Sequence, residues 1–284
     1  MADLRDIAEE YKENDFFLYK LPYLCGIEKI IPSIYKKKSV ERRNKALAKA
    51  AAVVSVSPWH TSVISKYNKN THVIYNGYDN DFFKPEETPT DTFNITYTGR
   101  LYNESIRDPK MFFCAIENVL KTKPEIKEHL RIKWYVDDAS KESVINATKK
   151  HNLEENTEIN GFVKLTEVPR ILNESSVVLV FSNKTEENGT KGIMTTKFFE
   201  ALGCERPVLC VRSDEGCLEE AIKTTKAGVA ARTVEDAENF IKAKYEQWLA
   251  DGCTTQELNK TEKEKFSREK QAEQFAELVE SLRR

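Results

Sequence analysis

The feature that most constrains the fold is a regular alternation of short apolar runs and helix-like segments, which begins at about residue 93. The runs are apolar throughout, as in strands that are buried on both faces of a parallel sheet. The pattern predicts an α/β fold with a doubly wound parallel sheet. The predicted strands are Phe93–Thr98, Leu130–Val136, Thr157–Asn160, Val177–Phe181, Pro207–Val211 and Gly228–Ala231. The predicted helices are Pro109–Lys121, Lys141–His151, Leu165–Asn173, Lys197–Leu202, Cys217–Thr225 and Val234–Trp248.

The residues before this pattern are organised differently. Residues 1–84 contain too few strands for a sheet domain of their own, so they are interpreted as the end of one. Residues 85–92 are polar, include two prolines and are predicted to be a linker to a domain over 93–284. The last segment, 255–284, is predicted to be one long amphipathic helix that packs against the domain. The elements predicted in the first segment are the helices Val40–Ala51 and Pro58–Tyr67 and the strands Ala52–Ser57 and His72–Tyr75.

Composition excludes several classes of protein. The 284 residues carry a net charge of −2, which gives no reason to expect a nucleic-acid partner. No apolar run approaches the roughly 20 residues of a membrane span. The six cysteines form no C-x-x-C pair, so free thiols in the reducing cytoplasm are expected. The four histidines lack metal-ligand spacing, and no metal is expected.

The segment from Gly192 to Gly203 carries the clearest functional signal. It leaves one buried strand and opens a helix, whose free backbone N–H groups attract phosphate. One carboxylate, Glu200, lies among the apolar residues of that helix. A buried carboxylate needs hydrogen-bond donors, and sugar hydroxyls would supply them. Together these features predict a nucleotide-sugar site.

Several short motifs, in this order, resemble those of group 1 glycosyltransferases. Each motif alone is weak, but their order and spacing make the resemblance fairly specific. It implies the GT-B fold, in which the active site lies between two Rossmann-like domains. Residues 93–284 would then bind the nucleotide-sugar donor, and residues 1–84 would be the remnant of an acceptor-side domain that is mostly missing. The motifs are Val54–Ser57, Val73–Asp79 with Phe82 or Phe83, Ile95–Leu101, Gly161–Val163, Lys197–Leu202 and Pro207–Val208.

The resemblance implies that Arg100 and Arg107 bind the donor diphosphate. A guanidinium matches phosphate oxygens in a two-pronged geometry and stays charged at any relevant pH. Members of the family usually carry an arginine and a lysine here, and Arg107 takes the place of the lysine. Without the resemblance, two solvated surface arginines would be the simpler interpretation. The other residues expected at the diphosphate are Thr195, Thr196 and Lys197. Gly99 and Gly192 are the loop glycines of the predicted site, and Gly189 and Gly192 are expected to let the backbone approach the ligand.

Glu200 resembles the second glutamate of a family motif and would hold the ribose hydroxyls. The first glutamate of that motif should stand at position 192, where this chain has Gly192; Glu186 or Glu187 could reach the sugar from the same loop. Gly161, Phe162 and Val163 would form the base-side loop, with a place in the core as an equal alternative for Phe162. Tyr97 and Trp134 are expected in the core, and a structural role is expected for His60.

The expected activity is transfer of a sugar from a nucleoside diphosphate, UDP being favoured, to a saccharide or lipid-linked acceptor. The resemblance implies retention of configuration and a role in cell-surface polysaccharide assembly, without a cofactor. Neither the catalytic residue nor the oligomeric state can be named from the sequence. Peripheral membrane association is expected through the missing domain. Two alternatives stay open: a nucleotide-sugar epimerase of similar fold and a non-catalytic nucleotide-binding module.

Overall fold

A computed structural model describes residues 1–10, 27–101, 107–183 and 192–283. The strands are β1 (Ala2–Leu4), β2 (Val53–Ser55), β3 (Thr71–Val73), β4 (Phe93–Thr98), β5 (Leu130–Tyr135), β6 (Thr157–Asn160), β7 (Val177–Val180), β8 (Val208–Val211) and β9 (Gly228–Ala231). The α-helices are α1 (Ile27–Leu47), α2 (Pro58–Ile64), α3 (Lys110–Thr122), α4 (Ile126–His129), α5 (Asp138–Lys150), α6 (Val168–Asn173), α7 (Thr196–Gly203), α8 (Cys217–Thr225), α9 (Val234–Asp251), α10 (Lys260–Glu264) and α11 (Arg268–Ser281).

The larger sheet has six strands in the order β6-β5-β4-β7-β8-β9, and every neighbouring pair is parallel. The predicted α/β fold class is confirmed. Strand order reverses between β4 and β7, because β5 and β6 extend to one side and β8 and β9 to the other. The crevice at the carboxyl ends of the strands beside such a reversal is where ligands bind in open α/β sheets.

Two apolar cores cover the two faces of this sheet. On β7, Val177 and Leu179 belong to one core, and Val178 and Val180 belong to the other. This alternation follows from the pleat, which directs successive side chains to opposite faces. The first core contains buried residues of α3, α5 and α9, and the second contains those of α6, α7 and α8. The sheet is therefore covered on both sides, as its continuous apolar strands require.

A smaller parallel sheet, β1-β2-β3, forms from the first residues. The sequence pattern did not predict β1, because its three residues include the charged Asp3 and form no apolar run. Helix α1, Ile27–Leu47, includes residues well before the predicted start at Val40, among them Pro32. The described residues of this segment form three strands, and its interpretation as the remnant of a larger domain stays a prediction.

The prediction of one helix over 255–284 is wrong. The chain forms α10 and then α11, with a break at Phe266 and Ser267 between them. Phe266 is buried in the second core, and the Ser267 hydroxyl accepts a hydrogen bond from the Lys270 N–H at 3.1 Å. This N-cap starts a new helix. Helix α11 then packs on the smaller sheet, where Leu278 lies in one cluster with Val54 and Ile74.

The predicted linker, 85–92, is bonded to the larger sheet domain along its length. The buried Arg206 guanidinium donates to the Glu86 carbonyl at 2.7 Å, and the Glu86 N–H donates to Asn173 at 3.1 Å. Further along, the Trp248 indole N–H donates to the Thr90 carbonyl at 3.2 Å. These bonds fix the path of the chain between the two sheets.

Candidate functional site

Arg107 is held beside the carboxyl end of β4 by three hydrogen-bond acceptors. Its Nη1 donates to the Arg100 carbonyl at 2.8 Å and to the Tyr97 hydroxyl at 3.3 Å. Its Nε donates to Oδ1 of Asn183 at 3.2 Å. The Tyr97 hydroxyl itself donates to the Arg100 carbonyl at 2.7 Å. Since Asn183 follows β7, the guanidinium bridges the two strands at which the order of the sheet reverses. Such bridging fixes one cation at the ligand crevice.

Tyr97 combines two roles, of which sequence reasoning found one. Its ring is 1% exposed and packs edge-on against Trp134 and Phe181, so its expected place in the core is confirmed. Its hydroxyl reaches out of the core to Arg107. The general rule that a buried tyrosine hydroxyl finds a hydrogen-bond partner is the signal that could have indicated this second role.

The Arg100 side chain contacts Asp137 and Phe162 rather than the acceptors of Arg107. Its Nε lies 3.3 Å from a carboxylate oxygen of Asp137, and its guanidinium carbon lies 5.6 Å from the centre of the Phe162 ring. Phe162 is 56% exposed, so the alternative that placed it in the core is wrong. The structure thus brings Arg100 together with the base-side loop, and its contact with a diphosphate stays a prediction.

The base-side loop follows β6 and has one open and one packed side. A Cβ added at Gly161 would have only the Lys141 Nζ nearby, at 3.9 Å, so the space there is open. Val163 packs against the second core. With Val163 anchored and the Phe162 ring exposed, the loop presents an aromatic face next to a guanidinium, an arrangement that can stack on a planar ring.

Helix α7 begins where the sequence predicted a helix start. The Thr195 hydroxyl accepts a hydrogen bond from the Lys197 N–H at 3.4 Å, and Thr196, the first helical residue, is exposed. Thr195 is thus the N-cap of α7, and its contact with a diphosphate stays a prediction. The bond is long for an N–H···O contact, so a phosphate oxygen would displace it at little cost.

The Glu200 carboxylate has a partner within its own helix. The Lys197 ammonium lies 2.9 Å and 3.1 Å from its two oxygens. Burial raises the pKa of Glu200, and the nearby Lys197 opposes that rise. The prediction that this buried carboxylate needs a partner is thus met by Lys197 without any ligand. Its contact with a ribose stays a prediction.

Gly99 lies between two groups of site residues, Arg107 with Tyr97 and Lys197 with Glu200. Its φ of +148° suits glycine, and a Cβ there would lie 3.3 Å from the Tyr97 hydroxyl and 3.4 Å from Cε of Lys197. The Gly99 backbone therefore lies between the pair Arg107–Tyr97 and the pair Lys197–Glu200, and the five residues form one continuous set at the carboxyl end of β4 and the start of α7.

Gly192 is buried against the other sheet rather than open to a ligand. A Cβ there would lie 2.7 Å from the Ser57 hydroxyl oxygen and 2.8 Å from Cε3 of Trp59. A glutamate at this position would not fit the observed packing, which gives a physical reason for the departure from the family motif. Glu186, Glu187 and Gly189 lie outside the described residues, so the expected reach of the two glutamates towards a sugar has no structural counterpart here.

We expect Gly192→Ala to lower the free energy of unfolding by about 1–3 kcal/mol, because the added methyl group overpacks the contact with Ser57 and Trp59. Chemical denaturation followed by circular dichroism measures the change. Gly161→Ala is the matched control, since its Cβ meets open space, and it should stay within about 0.5 kcal/mol. Equal losses in the two variants would contradict the packing argument.

A cavity of about 260 Å³ lies next to the set of residues that includes Arg107 and Lys197, at the carboxyl ends of β7 and β8. It meets the site at Asn183, the residue that accepts from Arg107. Within the described ranges, none of the predicted site residues lines it. Its other walls include Asp108, Met111, Cys114, Ser182 and Arg212.

No group of three or more His, Cys, Asp or Glu side chains among the described residues is arranged to hold a metal ion. Among the helices formed by those residues, none combines the length and the apolar character that a membrane crossing needs.

The open parallel sheet with its strand-order reversal defines a doubly wound α/β domain, a class in which ligands bind at the carboxyl ends of the strands. The sequence profile of the family "Glycosyl transferases group 1" matches residues 92–249, more than half of the chain. The chain therefore belongs to the group 1 glycosyltransferases, and the resemblance stated from its motifs is confirmed. No curated protein sequence matches it.

Solved structures of glycosyltransferases share the fold. Sucrose-phosphate synthase from Thermosynechococcus elongatus aligns with a TM-score of 0.60 at 18% identity, over 87% of this chain and 62% of the synthase. HepE from Anabaena, solved in complex with UDP and glucose, gives 0.63 at 16% identity, over 82% of this chain and 64% of HepE. A glycosyltransferase from Rickettsia africae gives 0.61 at 14% identity, over 81% and 63%. The chain thus spans less than two thirds of the length of these proteins.

Proposed function

We propose that this chain supplies the donor-binding half of a retaining glycosyltransferase that uses a nucleoside-diphosphate sugar, with UDP as the favoured nucleotide. The observation that carries the proposal is the continuous set formed by Arg107, Tyr97, Gly99, Lys197 and Glu200. It places two cations and a carboxylate at the strand-order reversal, where a ligand with a diphosphate and a diol would find complementary groups. The complex of HepE with UDP supports the choice of nucleotide.

Each group has a chemical task in this proposal. As the bond from the sugar to the diphosphate breaks, negative charge grows on the leaving group. Arg107 and Lys197 would stabilise that charge as fixed cations, which costs no reorganisation during the reaction. Arg100 and Phe162 would border the base. Glu200 would exchange its contact with Lys197 for hydrogen bonds from the ribose, which would free the ammonium for the diphosphate.

The acceptor would be a saccharide or a lipid-linked saccharide, and the product a cell-surface polysaccharide. We place the chain in the cytoplasm. Cys114, Cys204, Cys210, Cys217 and Cys253 are free thiols, which supports a reducing compartment. Membrane association of the whole protein and the absence of a cofactor remain parts of the proposal.

Calorimetric titration of the full chain with UDP, GDP and ADP tests the proposal. We expect saturable binding of at least one of these nucleotides, with UDP the tightest. Inorganic pyrophosphate should bind more weakly than UDP, because it lacks the base and the ribose. If none of the three nucleotides binds, the proposed function is wrong. Binding without sugar transfer by the whole protein would favour a non-catalytic module.

Glu200→Gln tests the ribose contact separately. We expect it to weaken UDP binding about 2- to 10-fold, the worth of an ordinary hydrogen bond, and to leave pyrophosphate binding nearly intact. 2′-Deoxy-UDP, which lacks one hydroxyl of the diol, should bind wild type and variant almost equally well. If the variant loses affinity for UDP and pyrophosphate by the same factor, Glu200 does not contact the ribose.

The proposed contact between Glu200 and the ribose should make UDP affinity depend on pH in a predictable direction. Burial raises the pKa of Glu200 above its ordinary 4.5, so the carboxyl group is protonated over a wider range than usual. Only the carboxylate accepts two hydrogen bonds from the diol. The ratio of UDP affinity to 2′-deoxy-UDP affinity should therefore rise as the pH increases from about 4.5 to about 8 and should be flat in Glu200→Gln. Taking the ratio cancels the titration of the diphosphate itself.

A further inference from the structure

A buried chain of hydrogen bonds lies at the contact between the two sheets, outside the proposed nucleotide site. Ser57, His60 and Glu10 form it. The Ser57 hydroxyl oxygen lies 2.5 Å from Nδ1 of His60, and Nε2 of His60 contacts a carboxylate oxygen of Glu10. Ser57 is 0% exposed, and the side chains of His60 and Glu10 are 1% and 5% exposed. Three polar groups buried this deeply need a defined arrangement of protons.

The acceptor-only Glu10 carboxylate sets that arrangement. It accepts a hydrogen bond from the Ile7 N–H at 3.0 Å and offers an acceptor to Nε2 of His60. The tautomer that fits these partners carries its proton on Nε2, and Nδ1 then accepts from the Ser57 hydroxyl. The Ser57 oxygen is in turn free to accept from the backbone N–H of His60, which lies 3.3 Å away. Each group then has its partner.

Two segments of the larger sheet domain, at Gly192 and at Cys217, contact Ser57 in this chain of bonds. Gly192 packs against Ser57 so closely that a Cβ there would lie 2.7 Å from the hydroxyl oxygen. The thiol of Cys217, the first residue of α8, lies beside Ser57 and Trp59, and this polar contact opposes the rise that burial causes in its pKa. Ser57 follows β2, Gly192 follows β7 and Cys217 follows β8. The chain of bonds therefore joins the carboxyl ends of the two sheets.

We propose that His60, held by Glu10, is a positioning residue for nucleotide binding, acting through Ser57 and Gly192 on the start of α7. Only two residues separate Gly192 from Thr195, the N-cap of α7, and Lys197 and Glu200 lie in the first turns of that helix. A shift of the Ser57 hydroxyl would move Gly192 and, with it, the residues proposed to bind the diphosphate. The inference rests on the proposed function, because it assigns a support to that same site.

A pair of substitutions tests the two ring nitrogens of His60 separately. His60→Asn places a polar atom near the position of Nδ1 and keeps a partner for Ser57, whereas His60→Gln places one near Nε2 and keeps a partner for Glu10. We expect His60→Gln to weaken UDP binding roughly 10-fold and His60→Asn to stay within about 3-fold of wild type. His151→Gln is the matched control, since His151 is a histidine whose side chain is 9% exposed and which pairs with Glu117 at 2.9 Å in the larger domain. It should leave UDP affinity unchanged.

A measurement on the wild-type chain keeps the inference testable even if these variants do not fold. In protein labelled with ¹⁵N at its four histidines, the ring resonances of His60 should show the Nε2–H tautomer and should shift when UDP is added. Those of His151 should not shift. Glu10→Leu removes the acceptor of Nε2, so it should abolish the preference for the Nε2–H tautomer and weaken UDP binding. Asp6, Glu10 and Cys217 are the titratable groups near this chain of bonds, so spectra are compared at one pH.

The outcomes separate this inference from the proposed function. If wild type binds UDP, but His60→Gln binds it equally well and the His60 resonances stay unchanged, the positioning role is wrong and the nucleotide site stands. If the variants lose stability without losing UDP affinity well below their melting temperatures, the chain of bonds is only structural and the inference is overturned. If wild type binds no nucleotide, both proposals fail together.

Discussion

Arg107→Ala should weaken UDP binding roughly 10- to 150-fold in a calorimetric titration, because a hydrogen bond to a charged group is worth about 1.5–3 kcal/mol. The Arg107 guanidinium already has acceptors on the Arg100 carbonyl, the Tyr97 hydroxyl and Asn183, which fix its plane. A phosphate would thus meet a side chain that has already lost its rotational freedom. That preorganisation is the reason to expect the upper part of the range rather than the lower.

Two further variants sharpen this test. Arg107→Lys keeps the charge but cannot present two parallel donors, so it should lose less affinity than the alanine variant. Arg131→Ala is the control, since Arg131 lies on β5 near its amino end and donates to the Leu130 carbonyl at 2.7 Å. It should bind UDP like wild type. An unchanged dissociation constant in Arg107→Ala would remove this residue from the site.

The larger sheet was predictable because its central strands, β4, β7 and β8, are buried on both faces. Such strands are largely apolar, and a run such as Val177–Val180 is typical of a buried strand at that length. Each of its predicted strands ends within one residue of the observed one. The short β1 could not be found in this way, since it pairs along one edge only, with β2, and contains a charged residue.

The site was predictable only in part, because its geometry depends on contacts that no local pattern encodes. The sequence indicated the helix start at Thr195, since capping is a local matter of neighbouring residues. It could not show that Lys197 would pair with Glu200, or that Asn183 would hold Arg107 across 76 positions of the chain. Likewise, the burial of Gly192 against Ser57 follows from the meeting of two sheets.

The same dependence on packing leads to the largest expected loss of stability, in Trp134→Ala. Trp134 is fully buried, stacks on Phe113 and Phe181 at 5.9 and 6.1 Å, and meets the Tyr97 ring edge-on at 5.6 Å. Its loss should lower the free energy of unfolding by about 3–5 kcal/mol, as for other large aromatic residues cut to alanine. Urea denaturation followed by far-UV circular dichroism measures it, and a loss below about 1 kcal/mol would contradict this account of the core.

Trp134→Phe is the informative comparison, because two effects oppose each other there. The smaller ring leaves a cavity, but the substitution also removes an indole N–H that has no hydrogen-bond partner among the described residues. A buried donor without a partner costs about 1–3 kcal/mol, so removing it offsets much of the packing loss. The phenylalanine variant should therefore stay within about 1.5 kcal/mol of wild type. Since its ring can still support Tyr97, and Tyr97 orients Arg107, it should also keep its affinity for UDP, whereas Trp134→Ala should lose both stability and affinity.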